Sequence, residues 1–368
     1  MENRKFAEAF PPGEFLADEL QARGWTQTEF AEIIQRPQKL VNDVILGKRS
    51  ISPETATDFA EALGTSAQFW MNLETAWQLS KLPARDNTIS KAAAIRERFP
   101  VREMTKRGWI KPADTADDQE KYVLSYFNIQ SANDNIALPH AARRNYQNNV
   151  TVIQWAWIFR VNQLATSLQT PHYSEATLRA RIPELEALMT EPEGIRHIPR
   201  VLLECGVRFV IVEPIPGSEI QGVCFWINDN KSPVIGLTLK GDQIDKFWFD
   251  FWHEIEHVLN GDGKDNIIID DFDESKPAKD EIEENANKRA AERCVPQGQM
   301  RNFILRHDPM FSEKNMLGFA RLMKRHPGIV AGQIQRHTKR WDLFKKHQPR
   351  IRQILTQTAM TDGYGVKI

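Results

Sequence analysis

The stretch His253-Glu254-Ile255-Glu256-His257 sets the tightest constraint on how this chain folds. Two histidines four residues apart meet only on a helix, where they stand one above the other on a single face and both rings reach one metal ion. The flanking residues support a helix. The run Ile244-Asp245-Lys246-Phe247-Trp248-Phe249-Asp250-Phe251-Trp252 leads into the motif, Val258-Leu259 continues the apolar spacing, and Gly261 supplies the stop. Glu254 projects from the adjoining side, where an activated water belongs. A hydrolytic zinc site takes three protein ligands and keeps one position open, and a carboxylate from a second helix commonly supplies the third. Glu283-Glu284 follow His257 by 26 residues and open a second amphipathic helix, Asp280 to Arg293, which ends before Pro296. These features make a metal-dependent hydrolase the leading expectation for the C-terminal half.

Residues from about Ile198 to Pro296 resemble the ImmA/IrrE family of zinc metallopeptidases. The resemblance is carried by Leu203-Glu204-Cys205-Gly206-Val207-Arg208-Phe209-Val210, by Gly222-Val223-Cys224-Phe225-Trp226-Ile227 and by Pro233-Val234-Ile235-Gly236-Leu237. After these come the two-histidine helix and a segment of the form E-x-x-A-N-x-x-A-A-x-x-x-x-P from Glu283 to Pro296. It implies that His253, His257 and Glu283, rather than Glu284, hold Zn2+, and that Glu254 is the catalytic base for attack on a peptide carbonyl. Asn287, one turn after Glu283, has the spacing to support the ligand or to contact the neighbouring helix. Two residues depart from the family pattern. Glu256 stands where glycine usually precedes the second histidine, which brings a negative charge close to the metal. Arg289-Ala290 stands where Phe-Ala is usual.

A second module is readable at the N-terminus. Gly13 to Leu20 carries apolar residues at 15, 16 and 20 and ends at Gly24. Thr26 with Glu29 forms a capping box that opens a helix to about Ile34. A turn through Gln35-Arg36-Pro37 precedes a helix from Gln38 to Leu46, closed by Gly47. Ser52-Pro53-Glu54 starts another, with proline at the first helical position, and Gly64-Thr65-Ser66 separates it from Ala67 to Leu79. Short helices joined by tight turns describe a helix-turn-helix DNA reader.

Thr26-Gln27-Thr28-Glu29-Phe30-Ala31, Leu46-Gly47-Lys48-Arg49, Ile51-Ser52-Pro53 and Ala62-Leu63-Gly64-Thr65 through Phe69-Trp70-Met71-Asn72-Leu73 resemble XRE-type repressors, most closely HigA-type antitoxins. Gln35 takes a turn position where that family often has glycine and where φ is expected to be positive. On that frame Gln38, Lys39, Asn42 and Asp43 face outward from the recognition helix, suited to base edges, while Leu40, Val41 and Val44 include the inward positions. Gln27, Arg36, Lys48 and Arg49 are placed to grip the phosphate backbone. The expected partner is a double-stranded DNA operator. Residues 1–85 hold 9 Lys+Arg against 12 Asp+Glu, an acidic balance for a nucleic-acid module, so binding is expected to need a homodimer on a palindromic site.

At 368 residues with a net charge of −1, the chain has room for more than one domain. Cys205, Cys224 and Cys294 are odd in number and lack metal-site spacing, which predicts buried reduced thiols. No apolar run approaches a membrane span and Met1 to Phe10 is not a signal sequence, so a cytoplasmic location is expected.

The segment between the modules reads as helical. It includes Ser90 to Arg98, a long stretch from Ala141 to Ser167 with Trp155 and Trp157 as core or interface residues, and Tyr173 to Met189. Residues 262–284 carry 10 acidic and 3 basic side chains, whereas residues 288–352 carry 16 basic and 4 acidic. The tail motif His326-Pro327-Gly328-Ile329-Val330-Ala331-Gly332 also matches fused antitoxin–peptidase proteins.

The expected fold class is mainly α with a smaller α+β part. An all-α helix-turn-helix domain spans 1–85, a helical connector 86–190, a zincin-like α+β metallopeptidase domain 191–300, and a basic helical tail 301–368. The expected function is a DNA-binding regulator of antitoxin or repressor type that hydrolyses a peptide bond in a regulator, a toxin partner or itself. The alternative is a non-catalytic repressor whose zinc-binding-like domain serves as a sensor or toxin-binding module.

Overall fold

The computed structural model describes residues 9–83, 88–138, 150–271 and 281–365. Residues 1–8, the 141–149 part of the long connector stretch and the 272–280 part of the acidic segment therefore lie outside the described residues. The chain divides into two compact units, 1–88 and 89–368.

The first unit is five helices: α1 (Pro12–Arg23), α2 (Gln27–Ile33), α3 (Gln38–Ile45), α4 (Pro53–Leu63) and α5 (Ala67–Ser80). Each starts and stops for a local reason. Thr26 and Glu29 form a reciprocal capping box on α2, Ser52 caps α4 with Pro53 at its first position, and Ser66 caps α5. Gly24 and Gly64 take left-handed conformations as they close α1 and α4. Gln35 has φ +51°, so the α2–α3 turn keeps the left-handed geometry the sequence called for, with a glutamine paying the strain. The core gathers Leu16, Leu20, Phe30, Val41, Val44, Phe59 and Trp70, with Phe59 packed edge-on against Trp70. Buried Glu74 accepts from the Ile51 amide and from Gln78, which ties the α3–α4 connection to α5.

Gly13 fixes how α1 crosses α3. A Cβ there would lie 2.3 Å from the Val44 carbonyl oxygen and 2.8 Å from Ile45 Cα, both backbone atoms that cannot rotate aside. Gly13→Ala is therefore expected to cost about 1–3 kcal/mol, read as a lowered midpoint for this unit in calorimetry of the full chain. An unchanged midpoint would contradict the packing described.

The second unit opens with α6 (Thr88–Arg98), α7 (Val101–Lys106), α8 (Ala116–Phe127), α9 (Val152–Ser167), α10 (Glu175–Ala187) and α11 (Ile198–Glu204). Then follow β1 (Arg208–Val212), β2 (Ile220–Ile227), β3 (Ser232–Leu237), α12 (Ile244–Asn260), β4 (Ile268–Asp271) and α13 (Glu281–Cys294). The C-terminal part holds α14 (Gln297–His307), α15 (Glu313–Met323), α16 (Pro327–Thr338), α17 (Arg352–Leu355) and β5 (Met360–Asp362).

The five strands form one sheet in the order β4-β2-β3-β1-β5. β1 runs parallel to β3 and β5, while β2 runs antiparallel to β3 and β4. Both faces are covered, which is why β1, β2 and β3 read as nearly continuous apolar runs rather than alternating ones. Phe209, Ile211, Cys224 and Trp226 point into a core with α12, whereas Val210, Val212, Val223 and Phe225 point into a second core with α9.

The connector helices α6 to α9 thus form the back layer of the sheet, whereas α10 packs on the α12 side. Trp157 is fully buried there and donates to the Val212 carbonyl, and Arg208 donates to the Ala165 carbonyl. The tail, expected to be helical, also contributes β5, a three-residue strand at the edge beside β1. Its Asp362 is buried and accepts from Trp109 Nε1 at 2.8 Å and from Arg160. All three cysteines are free and buried. Among the described residues no helix is long and apolar enough to cross a membrane.

Candidate metal centre and nucleic-acid interface

The α12 helix carries both histidines on a wholly buried turn: His253, Glu254, Ile255, Glu256 and His257 are all buried. Their Nε2 atoms face each other at 2.9 Å. Glu283, on the first turn of α13, brings its carboxylate to 3.3 Å from His253 Nε2 and 3.7 Å from His257 Nε2. The ligand set suggested by the sequence is therefore brought together. Asn287, one turn further along α13, places Oδ1 3.1 Å from His253 Nδ1, and Asp262 places Oδ2 3.0 Å from His257 Nδ1. Each ring is held through Nδ1, which leaves both Nε2 atoms turned inward toward a common point.

One further donor was not foreseen. Asp270 of β4 sets Oδ1 3.1 Å from His253 Nε2, and the donor atoms of His253, His257, Asp270 and Glu283 all lie within 4.8 Å of one another. With metal–donor bonds near 2.0–2.1 Å, the edge of a tetrahedral zinc site is ~3.3 Å, which is close to the contact distances found. The excess of acidic residues over 262–284 was the available signal. It could not show which of ten carboxylates the strand pairing delivers.

The electrostatics also suit a cation. Burial alone would depress the His253 imidazole, but Asp270, Glu283 and Glu254 outweigh it and hold the ring well above the usual histidine range. Burial, with Asp270 and Glu283 nearby, raises the Glu254 carboxyl well above its ordinary value. Three carboxylates surround two imidazoles in a buried pocket, and a divalent ion would balance them. Both Glu254 oxygens are buried and, the neighbouring Asp270 carboxylate apart, have no hydrogen-bond partner among the described residues. Gly222 of β2 makes the room for this carboxylate: a Cβ there would lie 2.0 Å from Glu254 Oε1.

The charge expected from Glu256 does not reach the centre unbalanced. Its buried carboxylate accepts from Arg293 Nε at 2.8 Å, and Arg289 Nη1 lies 3.8 Å from it. The two departures from the family pattern, Glu256 and Arg289, are thus on opposite sides of one ion-pair network at the α12–α13 contact.

In the first unit, Leu40, Val41 and Val44 of α3 are buried, Gln38 and Lys39 are exposed, and Asn42 and Asp43 are half-buried. Lys48 and Arg49 are exposed, and their amides both donate to the Asp43 carbonyl. Gln27 is half-buried at the start of α2. Arg36 is exposed, but its Nε pairs with Asp58 at 2.7 Å. Any phosphate contact by Arg36 must therefore share or break that pair.

Comparison with known proteins agrees with both halves. Residues 16–70 match a helix-turn-helix family and residues 207–326 match the IrrE N-terminal-like domain. The N-terminal part is 29% identical over 77 residues to the uncharacterized HTH-type transcriptional regulator YddM of Escherichia coli K12, covering 21% of this chain and 82% of that protein. It is 31% identical over 72 residues to virulence-associated protein I of Dichelobacter nodosus, covering 19% of this chain and 67% of that one. Among solved structures it is similar to an addiction module antidote protein of the HigA family from Coxiella burnetii, at 25% identity. That match covers 29% of this chain and all of the other, with a TM-score of 0.20. It is also similar to the Pseudomonas aeruginosa antitoxin HigA solved with the higBA promoter, at 30% identity, covering 24% and 89% with a TM-score of 0.20. The chain therefore belongs to the XRE-type helix-turn-helix family through its first unit and joins to it, in its second, an IrrE-like domain.

Proposed function

We propose that this protein is a DNA-binding regulator of antitoxin or repressor type whose second unit is a zinc-dependent peptidase, acting on a regulator, a toxin partner or its own chain. One observation carries the enzymatic half: the donors of His253, His257 and Glu283 converge beside the buried carboxylate of Glu254. A zinc ion held by these donors supplies Lewis acidity, which polarises a peptide carbonyl and acidifies water. Asn287 and Asp262 hold the Nδ1 atoms, which leaves Nε2 of His253 and of His257 to be offered to the ion. Glu254 takes the proton of the attacking water and delivers it to the leaving amide nitrogen. Its own room comes from Gly222.

The DNA-binding half rests on α3, whose outward Gln38, Lys39, Asn42 and Asp43 are offered to base edges, with Gln27, Lys48 and Arg49 at phosphate-gripping positions. The acidic balance of residues 1–85 favours a homodimer on a palindromic operator, since one copy offers few phosphate contacts. The HigA relative solved with its promoter accords with this reading.

The test is incubation of the zinc-loaded chain with the proteins encoded beside its gene and with itself alone, followed by mass analysis of fragments. A discrete fragment that disappears after chelation of the metal is expected. Intact partners and an intact chain under every condition would contradict the peptidase reading.

A further inference from the structure

Asp270 touches the histidine differently from the other polar residues around the centre. Asn287 and Asp262 contact the Nδ1 atoms, behind the rings. Asp270 contacts Nε2 of His253, the same nitrogen that faces His257 Nε2 at 2.9 Å and Glu283 at 3.3 Å. A nitrogen that gives its lone pair to a metal cannot also bond to a carboxylate 3.1 Å away. Asp270 must therefore share the metal with it rather than orient the ring. Building on the metal-centre reading above, we propose that Asp270 is a fourth, displaceable zinc ligand that closes the coordination shell and holds the peptidase in a shut resting state.

The backbone shows how the carboxylate is delivered. β4 is a four-residue strand at the sheet edge and, among the described residues, pairs with β2 alone, where Asp270 lies opposite Gly222. A Cβ on that glycine would lie 2.0 Å from Glu254 Oε1, so any larger residue opposite Asp270 would intrude on the centre. Pairing with β2 also shifts register between Ile220 and Gly222, so the ladder that fixes Asp270 is short and interrupted.

Two histidines, Glu283 and Asp270 make four protein donors, the count of a closed tetrahedral site. A hydrolytic site needs three donors and one exchangeable position. Catalysis then requires Asp270 to leave, and a short edge strand with a broken register can separate at lower cost than a central one. His253 and His257 sit on a long helix packed into the core, and Glu283 on the first turn of a second helix that packs against it.

The experiment uses the full chain loaded with cobalt(II), whose visible spectrum reports the number and type of donors, with acetohydroxamate as probe of an exchangeable position. The wild-type spectrum is expected to stay unchanged on adding the probe, while Asp270→Asn and Asp270→Ala shift with it. Competition against a chromophoric chelator should show zinc held at least ~10-fold more weakly by both variants, because supporting groups outside the donor shell already cost that much when removed. Far-UV circular dichroism of the near-isosteric Asp270→Asn excludes misfolding as the cause. A wild-type spectrum that responds to acetohydroxamate as the variants do, or an unchanged zinc affinity in Asp270→Asn, overturns the proposal and leaves the three-ligand centre standing. Failure of the wild type to take up either metal would remove the metal-centre reading itself, and this inference with it.

Discussion

Glu254→Gln is expected to retain zinc at the wild-type level and to lose about 10²- to 10⁴-fold in the rate of peptide hydrolysis, the range supplied by a positioned general base. The substitution keeps the shape that fits against Gly222 and leaves all four candidate donors in place. It removes the ability of this buried side chain to accept a proton. The two readouts separate chemistry from structure. A variant that lost its zinc would show that Glu254 holds the site together. A variant that cut its substrate within a few-fold of the wild-type rate would show that the proton goes elsewhere, and the mechanism would have to be abandoned. Fragment formation and metal content, measured on the same preparation, decide between these results.

The second large effect falls on stability. Arg293→Ala is expected to cost about 3 kcal/mol, because Glu256 is only 1% exposed and would be left as a buried charge without its closest cation. The figure is at the lower end of what breaking a buried pair costs, since Arg293 itself is 23% exposed. It also links Glu256 to Glu186, which lies 3.1 Å from its Nη1, and its guanidinium lies over the Trp252 ring. Arg289→Ala provides the control. That arginine is 61% exposed and 3.8 Å from Glu256, so its loss is expected to cost less than ~1 kcal/mol. Urea unfolding of the two variants side by side measures the contrast. Equal losses would show that Glu256 is balanced by the network at large and not by Arg293.

The first unit was legible almost residue by residue, because its signals are local: a capping box, serine and proline starts, glycine stops and a left-handed turn residue each act within a few positions. The two-histidine helix was legible for the same reason, since 3.6-residue periodicity fixes both rings on one face. Glu283 was singled out over Glu284 through the resemblance to the metallopeptidase family, and Asn287 follows it by one helical turn.

What escaped the sequence depends on contacts between distant segments. Asp270 matters through a strand pairing that brings it opposite Gly222, and nothing within its own acid-rich stretch distinguishes it from its neighbours. Asp362 lies on a strand of three residues, too short for any alternation to show. Glu256 read alone suggested an extra charge at the metal. Only the packing of α13 on α12 shows Arg293 and Arg289 beside it. The role of α9 as the back layer of the sheet was equally hidden. A helix buried on nearly every side has no polar stripe to say which way it faces.

The central claim is that one metal ion is held between α12 and α13, and its most direct test is the zinc content of the purified full chain beside His257→Ala and Glu283→Ala. About one zinc per chain is expected in the wild type, with loss of most of it in both variants once weakly bound metal has been dialysed away. A wild-type chain that retains no zinc, or variants that keep as much as the wild type, would contradict the account.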